Sequence, residues 1–276
     1  MRSLDDPATH YDRVTAAWKY LLGDDFHYGY FHSAEDPLEA ATNRLTELMA
    51  ECGTIGPDMS VLDVGCGIGN PACFLAERYG CRITGISTSR TGVEQASRRA
   101  QERGCEGRVS FLLADGMKNG LPDASFDRVW ALESSHLMPR KDALLVECAR
   151  VVRPGGRVVL CDIILQRDLP LAEVLRRARD FTHLRYAFGR AKMETLATYR
   201  QYAESAGLRA IELRDISDQT LPTFAHWRRR LESNCEEVRA LIGEEGLEHF
   251  RASCDILPAY WQQRILGYGL MVAEKD

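Results

Sequence analysis

The 276-residue sequence predicts an α/β fold in which a mainly parallel sheet has helices on both faces. Three observations support this prediction. Short apolar segments alternate with helix-length segments between residues 60 and 161. A glycine-rich turn follows the first apolar segment, and two further strand-like segments appear among long helical stretches near the end. Because parallel strands need helix-length crossovers, the order of the elements indicates the fold class.

Two helices and an aromatic segment are predicted before the sheet. Residues 8–22 have apolar residues at helical spacing and end before Gly23, and a second helix runs from Pro37 to about Cys52. The aromatic segment Phe26-His-Tyr-Gly-Tyr-Phe31 lies between them. The first part of the chain is therefore expected to lie outside the sheet.

The alternating part of the chain supplies five strands. The predicted strands are residues 60–64, 82–86, 109–113, 126–132 and 157–161. The helices between them cover residues 71–79, 92–103 and 141–151. In the remaining chain we expect strands near residues 209–216 and 266–273 and helical stretches at about 170–188, 194–206 and 222–263.

This order of elements predicts a lid, a main domain and helical segments that cover the ligand cleft. Residues 1–36 are expected to form an N-terminal helical lid, and residues 37–276 the main domain. The two late strands suit an antiparallel pair that finishes the sheet. The helical stretches at about 166–206 and 222–263, the second inserted between the last two strands, are expected to cover the ligand cleft and select the substrate.

Composition and charge exclude several classes of protein. The net charge of −5 provides no general attraction for nucleic acid, and no apolar run is long enough to span a membrane. The first residues lack the apolar core of a signal peptide, so we expect a cytoplasmic protein. The nine cysteines are scattered without a Cys-x-x-Cys pair, which predicts reduced thiols and no metal site.

The turn after the first predicted strand has three glycines in five residues, Gly65, Gly67 and Gly69. Such glycines permit a sharp strand-to-helix turn and a close approach of a ligand to the backbone near a helix N-terminus. A dinucleotide site would instead have Gly-x-Gly-x-x-Gly and an acidic residue at the end of the second strand, where this chain has Ser87. A Gly-Lys-Ser/Thr sequence for ATP is also absent. The spacing argues against NAD and ATP.

The segment from Asp63 to Gly69 resembles motif I of the class I S-adenosylmethionine (SAM)-dependent methyltransferases. Three further segments are similar to the same family: Leu112-Leu-Ala-Asp115-Gly-Met, Leu121-Pro-x-x-Ser-Phe-Asp127 and Arg150-Val-Val-Arg-Pro-Gly-Gly156. The resemblance implies a Rossmann-like, seven-stranded sheet of order 3-2-1-4-5-7-6. It also implies SAM as cofactor and S-adenosylhomocysteine as its product.

The resemblance also implies a set of cofactor-binding residues. They are Asp63, Gly65, Cys66, Gly67, Gly69, Ser87, Gln95, Asp115, Gly116, Met117 and Glu133. In the family the acidic residue at Asp115 binds the adenine amino group. Ser87 stands where relatives commonly have an acidic residue for the ribose, as in a subgroup that acts on sugars, polyketides, terpenoids and tocopherols, and Gln95 is expected to add a contact there.

The N-terminal aromatic segment is similar to the lid that folds over SAM in this subgroup. The resemblance extends this to Tyr11 and Tyr28 as cofactor contacts. An aromatic ring near a sulfonium gains a cation–π attraction, and a closed lid excludes water. A role of these tyrosines in packing the core is an equally good interpretation.

Candidate catalytic residues follow the fourth and fifth predicted strands. Neighbouring strand ends would bring His136 and Asp162 within hydrogen-bonding reach, and a carboxylate on one imidazole nitrogen leaves the other free as a base. The pair is similar to the His and Asp of sugar O-methyltransferases. The alternatives are a capping or pocket-lining role for His136, and Glu133 as the base of a C-methylation or as a SAM contact.

The function expected from the resemblance is methyl transfer to a small-molecule acceptor, most specifically O-methylation of a secondary metabolite with His136 as general base. One alternative is C- or N-methylation of a terpenoid, aromatic or heterocyclic metabolite. A different class is a SAM-binding cyclase or binding protein without transfer activity. No Asn/Asp-Pro-Pro-Tyr motif for base flipping is present. A homodimer is compatible with the sequence, which contains no feature that selects an oligomeric state.

Overall fold

The structure is a computed structural model, and it describes residues 7–276 apart from the side chains of residues 7–9 and 11–13. The strands in this part of the chain are β1 (Ser60–Val64), β2 (Arg82–Ser87), β3 (Val109–Leu113), β4 (Phe126–Leu132), β5 (Val152–Leu165), β6 (Leu208–Asp215) and β7 (Leu266–Lys275). The helices are α1 (Pro7–Leu22), α2 (Leu38–Cys52), α3 (Asn70–Tyr79), α4 (Arg90–Glu102), α5 (Lys141–Val151), α6 (Leu171–Arg176), α7 (Ala178–Phe188), α8 (Leu196–Ser205), α9 (Ser217–Thr220), α10 (Thr223–Ser233) and α11 (Cys235–Gln262).

The strands form one sheet in the order β3-β2-β1-β4-β5-β7-β6, which confirms the predicted fold class. The pairs among the first five strands are parallel, whereas β7 is antiparallel to both β5 and β6. The order of connection reverses between β1 and β4. At such a switch point the loops at the carboxyl ends of the strands diverge and leave a crevice for a ligand.

Strand β5 is longer than the predicted strand of residues 157–161. It begins at Val152 and continues to Leu165, because its second half pairs with β7 from Arg157 to Leu165. The Pro-Gly-Gly sequence at residues 154–156 indicated a turn rather than extended chain. The extension places Asp162 one residue beyond the last pair of β5 with β4.

Consecutive residues of the central strands point to opposite faces of the sheet. Val159 and Trp130 belong to the apolar core on one face, and Leu160 and Ala131 to the core on the other. The first core also contains apolar residues of α1, α2, α10 and α11, and the second contains residues of α5 and α8. The sheet is therefore covered by helices on both faces.

The helical segments outside the sheet pack against one another. Helix α1 contacts α10 and α11, and α7 contacts α11. The predicted helical block at residues 222–263 is divided, since Asn234 separates α10 from α11 and Gly243 has φ 76° within α11. The division of the chain into a lid of residues 1–36 and a main domain stays a prediction.

Two further findings concern membrane-spanning helices and cysteines within residues 7–276. None of the described helices is long and apolar enough to cross a membrane. All nine cysteines of the sequence lie in this range and are free thiols; seven of them are buried, and the other two are half-buried and packed against a core. They act as small apolar side chains.

We predict that Leu160→Ala lowers the free energy of unfolding by about 2–5 kcal/mol, because it leaves a cavity in the core. Leu160 is completely buried in β5. The measurement is urea unfolding of both proteins. Leu171→Ala is the matched control, since Leu171 is 72% exposed and its loss is expected to change stability by less than about 0.5 kcal/mol. Equal effects of the two substitutions would contradict the assignment of the core.

Candidate active site

The turn between β1 and α3 contains the three predicted glycines, and each has a left-handed backbone. The φ angles are 84° at Gly65, 53° at Gly67 and 80° at Gly69. Gly69 is the N-cap of α3, and no side chain there accepts a hydrogen bond from the first turn of the helix. The turn therefore presents unoccupied amides at the N-terminus of α3, which suit an anionic group of a ligand.

Close packing also requires glycine at two of these positions. A Cβ on Gly65 would overlap the Cβ of Ser134 and lie 2.7 Å from its Oγ. A Cβ on Gly69 would lie 2.7 Å from the Phe111 ring. Ser134 is itself held in place by a 2.6 Å hydrogen bond from its hydroxyl to the Val64 carbonyl. The turn after β1 and the turn after β4 are thus in direct contact.

A cavity of about 410 Å³ lies beyond the carboxyl ends of β1, β4 and β5. Its floor includes Asp63, the glycine turn, Glu133, His136 and Ile163. Its other walls come from helices and from the N-terminal aromatic segment, and they are mainly apolar. This is the crevice that the reversal of strand order predicts.

The Asp63 side chain is enclosed but has no hydrogen-bond partner among the described residues. Burial raises the pKa of this carboxyl to about 7. Because Asp63 lines the cavity, a cationic group of a ligand would supply the missing partner and favour the ionised form. The site therefore suits a ligand that has a positive charge near the glycine turn.

The residues predicted to bind adenosine lie at the ends of β2 and β3, beside the glycine turn and outside the cavity walls named above. Ser87 ends β2, and its hydroxyl accepts a 3.1 Å hydrogen bond from the Ser89 amide. Asp115 follows β3, and its carboxylate accepts a 2.9 Å hydrogen bond from the Met117 amide. Gly116, which follows Asp115, is buried, and a Cβ at this position would lie 2.6 Å from the Val64 side chain. Gln95 is exposed on α4, next to Ala96, which contacts Gly69.

The N-terminal segment before α2 is hydrogen-bonded to the floor of the cavity. The Tyr28 amide donates to Glu133 Oε1 at 2.6 Å, and Asp25 accepts hydrogen bonds from Asn70 at the start of α3 and from Thr42 of α2. Helix α1 and residues 24–31 thus lie beside the glycine turn. The side chain of Tyr11 lies outside the described residues.

The Tyr28 ring is 2% exposed and lies within an aromatic cluster. It is stacked on Trp261 with the ring centroids 5.5 Å apart, and it contacts Phe224, Trp227 and Tyr268. One edge of Tyr28 reaches the cavity wall. The structure therefore gives this tyrosine a core-packing role together with a position at the site.

Glu133 directly follows β4 and has a left-handed backbone with φ 46°, which is unusual for a residue other than glycine. Its Oε1 accepts hydrogen bonds from the Tyr28 amide and the Tyr268 hydroxyl. Burial, together with the nearby Asp162 carboxylate, raises the pKa of Glu133 well above its ordinary value despite these hydrogen bonds. Glu133 therefore joins the N-terminal segment to the strand ends as well as lining the cavity.

The structure brings His136 and Asp162 into direct contact. His136 Nδ1 lies 2.7 Å from Asp162 Oδ1, and the His136 amide donates to Oδ2 at 2.9 Å. Burial alone would raise the pKa of Asp162, but the imidazole, the Ser135 hydroxyl and the His136 amide together lower it below its ordinary value. The carboxylate is ionised at neutral pH and holds the imidazole at the cavity wall.

Several cavity residues were missed in the sequence analysis because their spacing is equally typical of a core helix. They are Trp18, Val174, Leu184, Met193, Trp227 and Leu257. Phe181 and Phe188 also line the cavity. With His183 and Tyr186 they form a series of aromatic residues at helical spacing, which is compatible with an acceptor pocket but is more often typical of a core helix, so the sequence did not assign them to the site. The chain after α7 is joined to the site by a 2.8 Å hydrogen bond from the Lys192 amide to the His136 carbonyl.

The sheet order, the glycine turn and the paired strand ends define a class I methyltransferase that uses SAM. The chain belongs to the mycolic acid cyclopropane synthetase family, whose model matches residues 1–262. The enclosed Asp63 carboxylate and the free amides of α3 fit the ammonium and carboxylate groups of this cofactor. The protein is therefore an enzyme of small-molecule methyl transfer.

Three proteins of known name are similar to this chain over most of its length. The methyltransferase GfsG of Streptomyces halstedii is 40% identical over 219 residues, which cover 78% of this chain and 76% of the relative. The 27-O-demethylrifamycin SV methyltransferase of Amycolatopsis mediterranei is 34% identical over 271 residues, 96% of this chain and 95% of the relative. The crystal structure of the [4+2]-cyclase SpnF has a TM-score of 0.85 at 26% identity and covers 100% of this chain and 97% of that chain.

We predict that Gly65→Ala abolishes measurable SAM binding in calorimetry, because the new Cβ would overlap Ser134 and displace the turn. Gly104→Ala is the matched control. Gly104 also has a left-handed backbone, with φ 64°, but a Cβ there meets nothing within 4 Å. The control is expected to lose some stability and keep its SAM affinity. Normal SAM affinity of Gly65→Ala would show that the turn does not bind the cofactor.

A second prediction concerns the pH dependence of stability in the absence of ligand. Asp63 has a folded-state pKa of about 7 against about 3.9 when unfolded, so the unfolded chain releases this proton first. The wild type should therefore lose stability relative to Asp63→Asn as pH rises from about 4 to about 7. Urea unfolding across this range measures the difference. A constant difference at every pH would contradict the assignment.

Proposed function

We propose that this enzyme transfers the methyl group of SAM to a hydroxyl oxygen of a secondary metabolite, with His136 as general base. The observation that supports the proposal most directly is the His136–Asp162 pair at the cavity wall. The 27-O-demethylrifamycin SV methyltransferase, which is similar over nearly the whole chain, is named for O-methylation of such a metabolite. The mainly apolar walls of the cavity suit an acceptor with a large hydrocarbon part.

The pair is arranged for proton removal. With Asp162 accepting from Nδ1, the neutral imidazole has its proton on Nδ1 and a lone pair on Nε2. Nε2 has no hydrogen-bond partner among residues that the structure describes, and His136 lines the cavity. An acceptor hydroxyl within hydrogen-bond distance of Nε2 would donate its proton there as the oxygen–methyl bond forms. Asp162 would stabilise the resulting imidazolium.

We assign the cofactor to the edge of the sheet formed by β1, β2 and β3. The methionine part would lie against Asp63, Gly65, Cys66, Gly67 and Gly69. The ribose and adenine would lie against Ser87, Gln95, Asp115, Gly116 and Met117. Bound SAM supplies a methyl group on a sulfonium, which is a good leaving group. Helix α1 and the segment around Tyr28 would exclude water from it.

Glu133 is the alternative base, as in a C-methylation that ends in proton loss. Its Oε1 already accepts from the Tyr28 amide and the Tyr268 hydroxyl, whereas the imidazole of His136 faces the cavity with a free nitrogen. These contacts favour His136 for the base and leave Glu133 Oε2 for a contact with the cofactor. O-methylation is therefore preferred over C- or N-methylation.

A cyclase without transfer activity is the candidate from a different class, because the [4+2]-cyclase SpnF has a similar structure. A base held by a buried carboxylate has a direct use in O-methylation, since the acceptor hydroxyl must lose a proton. Transfer of a labelled methyl group from SAM to an acceptor separates the two functions, because a cyclisation leaves the label on SAM.

We also propose that the enzyme acts in the cytoplasm on a diffusible acceptor and binds neither nucleic acid nor a membrane. The net charge of −5 supports this. In each of the two arginine-rich segments, residues 176–179 and 228–230, one arginine is also paired with a carboxylate: Arg177 with Glu173 and Arg228 with Asp255. Sedimentation velocity decides between a monomer and a homodimer.

We predict that His136→Gln lowers kcat about 10²–10⁴-fold, because the general base is lost. Asp162→Asn should cause a similar loss, since an amide cannot hold the imidazole in the same tautomer. The double variant should be little slower than the slower single variant, because the two residues act as a unit. Product formation from labelled SAM measures the rates.

SAM affinity by calorimetry is the control for these variants and should change little, because neither residue belongs to the glycine turn. Normal turnover of His136→Gln with the true acceptor would exclude His136 as the base. A loss confined to SAM binding would instead indicate that His136 belongs to the cofactor pocket. Additive losses in the double variant would contradict the pair as a unit.

A further inference from the structure

We propose that Ser135 and Tyr199 are positioning residues for the general base: their hydroxyls form a chain that ends on Asp162 and limits the charge that this carboxylate offers to His136. This inference deepens the proposed function and rests on it. We call the Tyr199 and Ser135 side chains the hydroxyl chain. Neither residue lines the cavity, so each would act through Asp162 and not on the acceptor.

The hydroxyl chain and the imidazole bind different oxygens of the Asp162 carboxylate. Ser135 Oγ donates to Asp162 Oδ2 at 2.5 Å, and the Tyr199 hydroxyl lies 2.7 Å from Ser135 Oγ. Since the Ser135 proton is used on the carboxylate, the Tyr199 hydroxyl must donate to Ser135. Burial raises the pKa of Tyr199 well above its ordinary value, so its phenol stays protonated as this donor.

Four donors surround the Asp162 carboxylate. Oδ2 accepts from Ser135 Oγ and the His136 amide, and Oδ1 accepts from His136 Nδ1 and, at 2.7 Å, from the Ile163 amide. A carboxylate has about four acceptor directions, so this group is saturated. It therefore stays ionised in a site with no exposure to solvent, and it has no lone pair free for a further proton.

The four donors on the Asp162 carboxylate reduce the negative charge that faces the His136 imidazole. Each donor withdraws negative charge from the carboxylate, and a chain of two hydroxyls withdraws more than one because hydrogen bonds polarise one another. Less charge then remains to stabilise the imidazolium. Removing a hydroxyl leaves a more negative carboxylate beside the imidazole, which keeps its proton up to a higher pH. The hydroxyl chain would thus keep His136 unprotonated, and so active as a base, at a lower pH.

Other ionisable groups near the pair are unchanged by substitutions in the hydroxyl chain. Lys141 of α5 donates to the Met138 carbonyl, and burial lowers its pKa to about 8. Asp162 also interacts electrostatically with Tyr28, Glu133, Cys161 and Tyr268, and Lys192 and Glu194 act on Lys141. They come from different parts of the chain and contribute a constant background to each variant.

The test is the pH profile of kcat/KM for Ser135→Ala, Tyr199→Phe and Ser135→Thr. Activity requires the unprotonated base, so the acidic limb of the profile should move to higher pH. The shift expected for Ser135→Ala is about one pH unit, since a hydrogen bond to a charged group is lost. Tyr199→Phe should give a smaller shift in the same direction. Ser135→Thr, which keeps the hydroxyl, should restore the wild-type profile.

Matched controls are available for both substitutions. Tyr202→Phe changes the same residue type on the same helix, and no hydrogen bond of the Tyr202 hydroxyl is present in the described structure. Ser97→Ala removes a hydroxyl that donates within α4 to the Val93 carbonyl and makes no hydrogen bond to Asp162 or His136 in the described structure. Neither control should move the acidic limb. A fall in kcat for Ser135→Ala that shifts neither the pH profile nor the titration of His136 would indicate a merely structural role and overturn the proposal.

Titration of the His136 imidazole by NMR, in enzyme without acceptor, separates this proposal from the one on which it rests. A titration that moves to higher pH in both Ser135→Ala and Tyr199→Phe, with an unmoved rate profile, supports the hydroxyl chain and rejects His136 as base. An unmoved titration in both variants rejects the hydroxyl chain, whatever the rates show. If Ser135→Ala fails to fold, the result for Tyr199→Phe decides.

Discussion

A carboxylate in a protein interior stays charged only where hydrogen-bond donors replace the water that it has lost, and Asp162 meets this requirement at the centre of the site. Its donors come from the turn after β4, from its own strand and, through Ser135, from α8. The same contacts orient His136 toward the cavity. One buried charge therefore determines how three separate elements meet.

A second carboxyl at the strand ends, that of Glu133, joins the cover of the cavity to its floor. Its unusual backbone directs the side chain toward the Tyr28 amide and the Tyr268 hydroxyl. Asp25 makes a comparable connection between the N-terminal segment and the start of α3. The cover is therefore attached both to the strand ends and to the glycine turn. A change in the cover consequently alters the surroundings of the cavity floor, and a change in the floor alters those of the cover.

The fold was largely predictable because its signals are local. Apolar periodicity located the strands and most of the helices, and left-handed turns that require glycine identified the start of α3. The prediction was less complete where partners decide the structure. β5 extends past its apolar run because β7 pairs with it, and Phe181 and Phe188 face a cavity although their spacing is that of a core helix.

The sequence by itself determined the fold class and the SAM-dependent chemistry, because a glycine turn after a buried strand depends on residues that are neighbours in the chain. Only the tertiary structure decided which distant side chains meet. Ser135 and Tyr199 are 64 residues apart and touch because α8 packs on the same face of β5 as Asp162. Tyr28 lies in an aromatic cluster for the same reason: its neighbours come from α10, α11 and β7, whose packing no local pattern specifies.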